Sequence, residues 1–197
     1  MDKKYPSSTK VVVIGGGVIG CSVAYHLTKF GWKDVVLLER DQLTSGTTWH
    51  AAGLVSQLGP SAAVTKIRKY TLDLYKNLEK EVDHSAGLRL NGALSIAQTD
   101  SRWQELKRQA TTAQLYDVNL SILNKDEIKK KYQMMSTEDL KGGVFMPGDG
   151  SADPSGVTHM LAKGARKGGA KIYEQSPVET ILTKNGRVYG CLLYTSP

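Results

Sequence analysis

The stretch Lys10–Gly20, KVVVIGGGVIG, decides the fold. Val11 to Ile14 are four β-branched residues in a row, which predicts a strand buried on both faces, as in a parallel sheet. Glycines follow at once. Gly15, Gly17 and Gly20 stand at the spacing G-x-G-x-x-G, between that strand and a helix-like stretch from Val18 to Phe30. Val23, Ala24, Leu27 and Phe30 mark the expected apolar stripe of this helix, and Gly31 its stop. Asp34–Arg40, DVVLLER, reads as a second buried strand. Strand, glycine loop, helix and strand follow one another through short connections, the order of a βαβ unit.

Each glycine has its own task in this reading. Gly15 permits the tight turn, Gly17 lets a pyrophosphate approach the backbone, and Gly20 lets the helix pack on the strand. The helix start at Val18 and Ile19 offers free N–H groups and a partial positive charge to phosphates. Glu39 lies 19 residues beyond Gly20, at the end of the second strand. A carboxylate there accepts hydrogen bonds from the ribose hydroxyls of an adenosine and repels a 2′-phosphate, which disfavours NADP. Arg40 either assists the ribose or is a solvated charge. The fingerprint alone does not choose between FAD and NAD.

Beyond it, residues 44–59 are rich in Gly, Thr and Ser, as a ligand-contacting loop is. Ser61–Asp83 reads as a helix with Ile67, Tyr70, Leu74 and Leu78 on one stripe. Leu88–Ala97 reads as a strand, Asp100–Tyr116 as a helix and Asn119–Leu123 as a strand. Asn124 and Glu127 make a capping-box-like helix start, and Gly142–Met146 is another strand. Asp153 caps the next helix, with Pro154 at its first position. Asp149 reads as a turn residue. That helix ends at Gly168-Gly169, and Lys171–Tyr173 and Val178–Thr183 are strands. Asn185-Gly186 signals a type I′ hairpin into Arg187–Leu193.

The 197 residues suit one large domain or two small ones. The charge of +7, from 26 Lys and Arg against 19 Asp and Glu, is scattered. Its one run, Lys129–Lys131, sits beside Asp126 and Glu127 on a solvated helix face, so nucleic-acid binding is not expected. Cys21 and Cys191 offer neither metal-ligand spacing nor a disulfide framework, and no metal site is expected. A reducing compartment is the default, and Cys21 reads as buried packing. No apolar run reaches the roughly 18 residues that span a bilayer. MDKKYPSSTK lacks a signal core and is short for a mitochondrial transit peptide.

Three stretches carry a family resemblance. VVVIGGGVIG with LLER, then SGTTWHAAGL at Ser45–Leu54, and MPGDGSADP at Met146–Pro154 resemble the D-amino-acid-oxidase-like (DAO) flavoproteins. Within them the pattern is most similar to the sarcosine and dimethylglycine dehydrogenases. GARKGGA at Gly164–Ala170 and SPVETI at Ser176–Ile181 extend it, so it covers about residues 10 to 190. TWHAAGL is its most specific part.

The resemblance implies an α/β fold: an FAD-binding Rossmann-like domain interrupted by a mixed α+β substrate domain and truncated. Residues 1–85 begin the FAD part, 86–147 begin the substrate part, and 148–197 return to the FAD part. Ser45, Thr47 and Thr48 would line the pyrophosphate and flavin, Ala52 and Gly53 would pass close to the isoalloxazine, and the backbone of Val178 would meet the adenine. His50 would carry the flavin covalently through its 8α-methyl carbon; an imidazole nitrogen is nucleophilic near physiological pH. Trp49 packs beside the flavin or in the core. His26, His84 and His159 read as structural or solvated.

The implied reaction is oxidation of sarcosine, dimethylglycine or another N-methylated amino acid, by hydride transfer to flavin. Electrons would leave to an electron-transfer flavoprotein or to oxygen. Tetrahydrofolate would belong to a later part of such a protein, as would the catalytic acid and base, so neither is named. Alternatives are another flavin amine or amino-acid oxidase, or a non-catalytic regulatory relative. The location is cytoplasmic, or the mitochondrial matrix for a processed eukaryotic chain. Alone, the chain is expected to be poorly stable and inactive. CLLYTSP resembles translated sequencing adaptor, so the sequence after Gly190 is not taken as native.

Overall fold

In a computed structural model, which describes residues 5–194, the elements run in the order β1 (Val11–Ile14), α1 (Val18–Lys29), β2 (Val35–Leu38), a short 3-10 turn (Thr48–His50), β3 (Leu54–Val55), α2 (Ala62–Val82), β4 (Ala93–Ala97), α3 (Asp100–Leu115), β5 (Ser121–Leu123), α4 (Lys125–Lys131), β6 (Gly142–Met146), β7 (Gly150–Ser151), α5 (Pro154–Lys167), β8 (Lys171–Tyr173), β9 (Val178–Lys184) and β10 (Arg187–Leu193). Two compact units share them. The first takes the chain up to Gly53, then Tyr75–Gly87, then everything from Asp153. The second takes Leu54–Leu74 and Leu88–Ala152. This division differs from one at residues 85 and 147 chiefly in residues 54–74, which pack with the second unit.

In the first unit β1, β2 and β8 form a parallel sheet with β2 in the middle. All four residues of β2 are buried, as a central parallel strand requires. β1 departs from the sequence expectation: Val12 is 38% and Ile14 51% exposed. Among the described residues β1 has one strand neighbour, so it is an edge strand with one open face. α1 packs against α5. The buried face of α1 is Cys21, Ala24, Tyr25 and Thr28, while Val23 and Phe30 of the expected stripe are exposed. Small residues decide this. A Cβ on Gly164 of α5 would lie 2.8 Å from the Tyr25 ring, so the two helices approach closely there. Thr28 tolerates burial because its hydroxyl donates to Tyr25 O at 2.8 Å.

Asp153 caps α5, taking the N–H of Ser155 at 3.1 Å and of Gly156 at 2.9 Å. β9 and β10 form an antiparallel hairpin. Asn185 and Gly186 at its tip both have positive φ, 51° and 74°, as a type I′ turn needs. β10 pairs through Leu193. Residues 195–197 of the stretch expected to be non-native, and Met1–Lys4 of the amino-terminal stretch, lie outside the described residues.

The second unit holds the antiparallel sheet β4-β6-β5 and the short pair β3-β7. Ala97, Leu106 and Val144 form one core cluster, with Trp103 and Leu120 packed on it. Leu123, Ile128 and Leu140 form another. The capping box of α4 is complete: Glu127 N–H donates to Asn124 Oδ1 at 3.0 Å, and Asn124 N–H to Glu127 Oε2 at 2.8 Å. α2 belongs to the second unit up to Leu74 and to the first from Tyr75. It therefore has no single stripe: Leu74 and Leu78 are buried as expected, Ile67 and Tyr70 are exposed, and Thr65, Leu72 and Val82 are buried instead. Among the described residues no helix is long and apolar enough to cross a membrane, and no three His, Cys, Asp or Glu side chains gather as for a metal ion.

Candidate dinucleotide site

β1 ends at Ile14, and Gly15 turns the chain with φ +106° while its N–H donates to Leu38 O at 2.8 Å. The next three glycines of the loop and helix start are held by close approaches. A Cβ on Gly16 would lie 2.6 Å from Leu43 Cδ2 and 2.9 Å from Glu39 Cβ. One on Gly17 would lie 2.9 Å from Thr48 Oγ1, and one on Gly20 would lie 1.9 Å from Gly15 O. No side chain larger than hydrogen fits at Gly20 without moving backbone.

Glu39 closes the loop from the other side. It is 9% exposed. Its Oε2 accepts the Gly16 N–H at 2.5 Å and its Oε1 the Asp41 N–H at 2.9 Å. Each carboxylate oxygen keeps lone-pair capacity for a hydroxyl donor. Ser176, buried, donates its N–H to Glu39 O at 2.7 Å. This brings the end of β2 beside the start of β9, where Val178 is half-buried.

The loop after β2 is tied to the glycines at two points. Thr44 N–H donates to Gly16 O at 3.1 Å, with Thr44 at φ 73°. Val18 N–H, at the start of α1, donates to Thr48 Oγ1 at 3.0 Å. Thr48 is 8% exposed. Trp49, at 57%, and His50 face outward, with ring centroids 3.7 Å apart and planes 32° apart. Trp49 is thus not part of a core formed by the described residues. Ser45, Thr47 and Ala52 are exposed, and Gly53 has φ +70°. Ile19 exposes its side chain. Arg40 forms a surface pair with Asp41, Nε to Oδ2 at 3.3 Å with both side chains mostly exposed, a contact of small energy.

A pyrophosphate–adenosine cofactor fits these residues. The glycines form a cradle that Cβ atoms would fill, α1 has no acidic residue in its first turn, and the carboxylate stands at the loop's edge. Sequence reading left four contributors unnamed: Gly16, Leu43, Thr44 and Ser176. The triple glycine was a signal for Gly16; the other three declare themselves only through contacts distant in sequence.

Cys21 is buried and its thiol donates to Gly16 O at 3.7 Å. Burial pushes its pKa up to about 12, opposed by Arg166 and assisted by Glu39 and Glu174, so the helix start does not activate it. In the second unit, Asp149 sits in the expected turn, its N–H donating to Met146 O at 3.2 Å, yet it is 1% exposed. Its Oδ1 accepts from Gln57 N at 2.9 Å and Nε2 at 3.4 Å. Its Oδ2 has no partner among the described residues. Burial raises its pKa, against the Gln57 donors and Arg68.

The family model described as FAD dependent oxidoreductase (DAO) matches residues 10–196. Mitochondrial sarcosine dehydrogenase of Homo sapiens is 42% identical over 177 residues, 89% of this chain and 19% of that protein. Mitochondrial dimethylglycine dehydrogenase of Homo sapiens is 36% identical over 184 residues, 93% of this chain and 21% of that protein. The chain thus spans about one fifth of the length of these relatives. Among solved structures, L-proline dehydrogenase from P. horikoshii superposes with a TM-score of 0.88 at 26% identity, covering 96% of this chain and 50% of that one. With a match over nearly the whole length and the glycine cradle built as such a cofactor requires, the chain belongs to the family of FAD-dependent oxidoreductases.

Proposed function

We propose that this chain is the flavin-attaching front part of an enzyme that oxidises an N-methylated amino acid, sarcosine or dimethylglycine. The observation that carries the reading is the outward-facing Trp49–His50 pair on a turn rooted at the glycine cradle. The likeness to the two human dehydrogenases supports the substrate class.

In this reading the first unit binds FAD and the second begins the substrate part. Gly15, Gly17 and the amides of Ile19 and Gly20 take the pyrophosphate, because a helix start presents N–H groups and positive charge; the Val18 amide is already given to Thr48. Glu39 accepts the ribose hydroxyls. Ser45 and Thr47 follow the cofactor outward while Thr48 is turned inward onto Val18, Ala52 and Gly53 run beside the ring system, and the backbone of Val178 meets the adenine. Arg40 assists the ribose or remains a solvated charge beside Asp41. His50 holds the flavin through its 8α carbon. That linkage would replace one C–H and one N–H bond by a C–N bond, with two protons lost to water and two electrons lost to the enzyme's electron acceptor. Bound flavin supplies the two-electron acceptor for the substrate's N-methyl C–H bond. The electrons then pass to an electron-transfer flavoprotein or oxygen. The methyl carbon leaves as formaldehyde, or passes to tetrahydrofolate in a later part of the protein. The mitochondrial relatives support a mitochondrial location.

The test is substrate-dependent flavin bleaching in the full-length protein. Sarcosine or dimethylglycine bleaching the visible band and releasing formaldehyde is the expected result. Bleaching only by amino acids without an N-methyl group would move the reading to another amine oxidase. A protein that binds no flavin would be a non-catalytic relative.

A further inference from the structure

We propose that Thr48 is the positioning residue for His50: its hydroxyl roots the Thr48–His50 turn on the first amide of α1 and thereby sets where the imidazole stands. The proposal rests on the reading of His50 as the flavin attachment point.

Two independent features place Thr48 in this role. Its Oγ1 accepts the Val18 N–H at 3.0 Å, so the turn is fixed to a helix of 12 residues rather than to another loop. Gly17 leaves room for that foot: a Cβ at position 17 would stand 2.9 Å from the same oxygen. Gly17 is therefore a hydrogen for Thr48 as well as for a phosphate. The turn itself is short and closed. His50 N–H donates to Thr47 O at 3.3 Å and Ala51 N–H to Thr48 O at 3.1 Å. His50 is two residues from the rooted side chain, and its ring lies on Trp49. A buried inner foot and an exposed outer pair make a rigid arm, because the links between Thr48 and His50 are one 3-10 turn and one ring stack.

A nucleophile must stand within a narrow distance and angle of the atom it attacks, so a small displacement of the arm costs rate more than affinity. Cofactor affinity is spread over the glycine loop and Glu39. Attachment of the bound flavin depends in addition on where His50 stands. Loss of the Thr48 hydroxyl should therefore separate the two.

The test uses flavin-free full-length protein with Thr48 unchanged, Thr48→Val and Thr48→Ser. Covalent attachment is followed as acid-stable yellow colour after FAD is added. Non-covalent FAD affinity is measured in a His50→Ala background, where attachment cannot mask it. Thr48→Val should slow attachment roughly tenfold to a hundredfold while affinity changes only a few-fold, and Thr48→Ser should restore the rate. Should Thr48→Val not fold, Thr48→Ala, which adds no bulk, gives the same separation. Equal losses of rate and affinity would make Thr48 a plain cofactor contact and overturn the proposal, as would an unchanged rate in Thr48→Val. Tight but wholly acid-labile FAD in the unchanged protein would overturn the His50 attachment itself, and this inference with it.

Discussion

Glu39, at the end of β2, and Asp149, in the turn after β6, are both acids that the fold removes almost entirely from water. Glu39 receives a backbone N–H on each oxygen, from Gly16 and Asp41. Asp149 receives the two donors of Gln57 on one oxygen, and its other oxygen has no partner among the described residues. A buried carboxylate with donors on both oxygens has its desolvation largely offset by hydrogen bonds, whereas a half-satisfied one has its pKa raised by burial. The first arrangement suits a group that must accept further hydrogen bonds as an anion. The second suits a structural pin that joins the 54–59 segment to the turn at 146–150.

The largest effect expected from this contrast is at Glu39. Glu39→Ala leaves two N–H groups without their acceptor, which should cost roughly 2–4 kcal/mol of stability. It should also weaken FAD binding by about tenfold to a hundredfold, the worth of hydrogen bonds to a charged group. Denaturant unfolding and flavin titration measure the two. A Glu39→Ala protein that melts and binds FAD like the unaltered one would break the comparison.

Asp149→Asn should be much milder, below about 1 kcal/mol, because the amide retains the oxygen that Gln57 uses and is close to the acid in shape. The pH dependence has a definite sign. Burial raises the Asp149 pKa in the folded chain, so the folded state binds its proton more tightly than the unfolded state. That contribution is full below the ordinary carboxylate range and is lost as pH rises through the folded value. Unfolding midpoints of Asp149→Asn should lack this decline. An identical decline in the variant would assign it to another group, and a large loss of stability in the variant would make Asp149 a charged partner of Arg68 instead.

The smallest effect is at Arg40. Its exposed pair with Asp41 predicts a change within about 0.5 kcal/mol for Arg40→Ala, with FAD affinity unchanged. A tenfold loss of affinity would put the guanidinium on the ribose and sharpen the site's outline.

The sequence made the βαβ opening legible because its signals are local. A run of β-branched residues, glycines at fixed spacing and an acid after the second strand need no knowledge of the rest of the chain. Asp153-Pro154, the Asn124–Glu127 box and Asn185-Gly186 are likewise local, and each forms as read. What escaped the sequence depends on partners distant along the chain. Periodicity put the stripe of α1 on Val23, Ala24, Leu27 and Phe30, and the burial of Cys21, Ala24, Tyr25 and Thr28 instead goes with the close approach of α5. α2 serves two units and so keeps no single stripe. β1 looked doubly buried but has one strand neighbour among the described residues. Asp149 sits in a turn as read, but its burial under Gln57, 92 positions away, has no local signal. At the site, Glu39 was readable from spacing. The anchoring of Thr48 on Val18, 30 positions away, was not.

Acid precipitation of the full-length protein tests the central claim most directly, namely that the first unit binds FAD and holds it through His50. The account predicts yellow colour retained in the pellet of the unaltered protein and released to the supernatant in His50→Ala. Yellow colour only in the supernatant of the unaltered protein would contradict the covalent link.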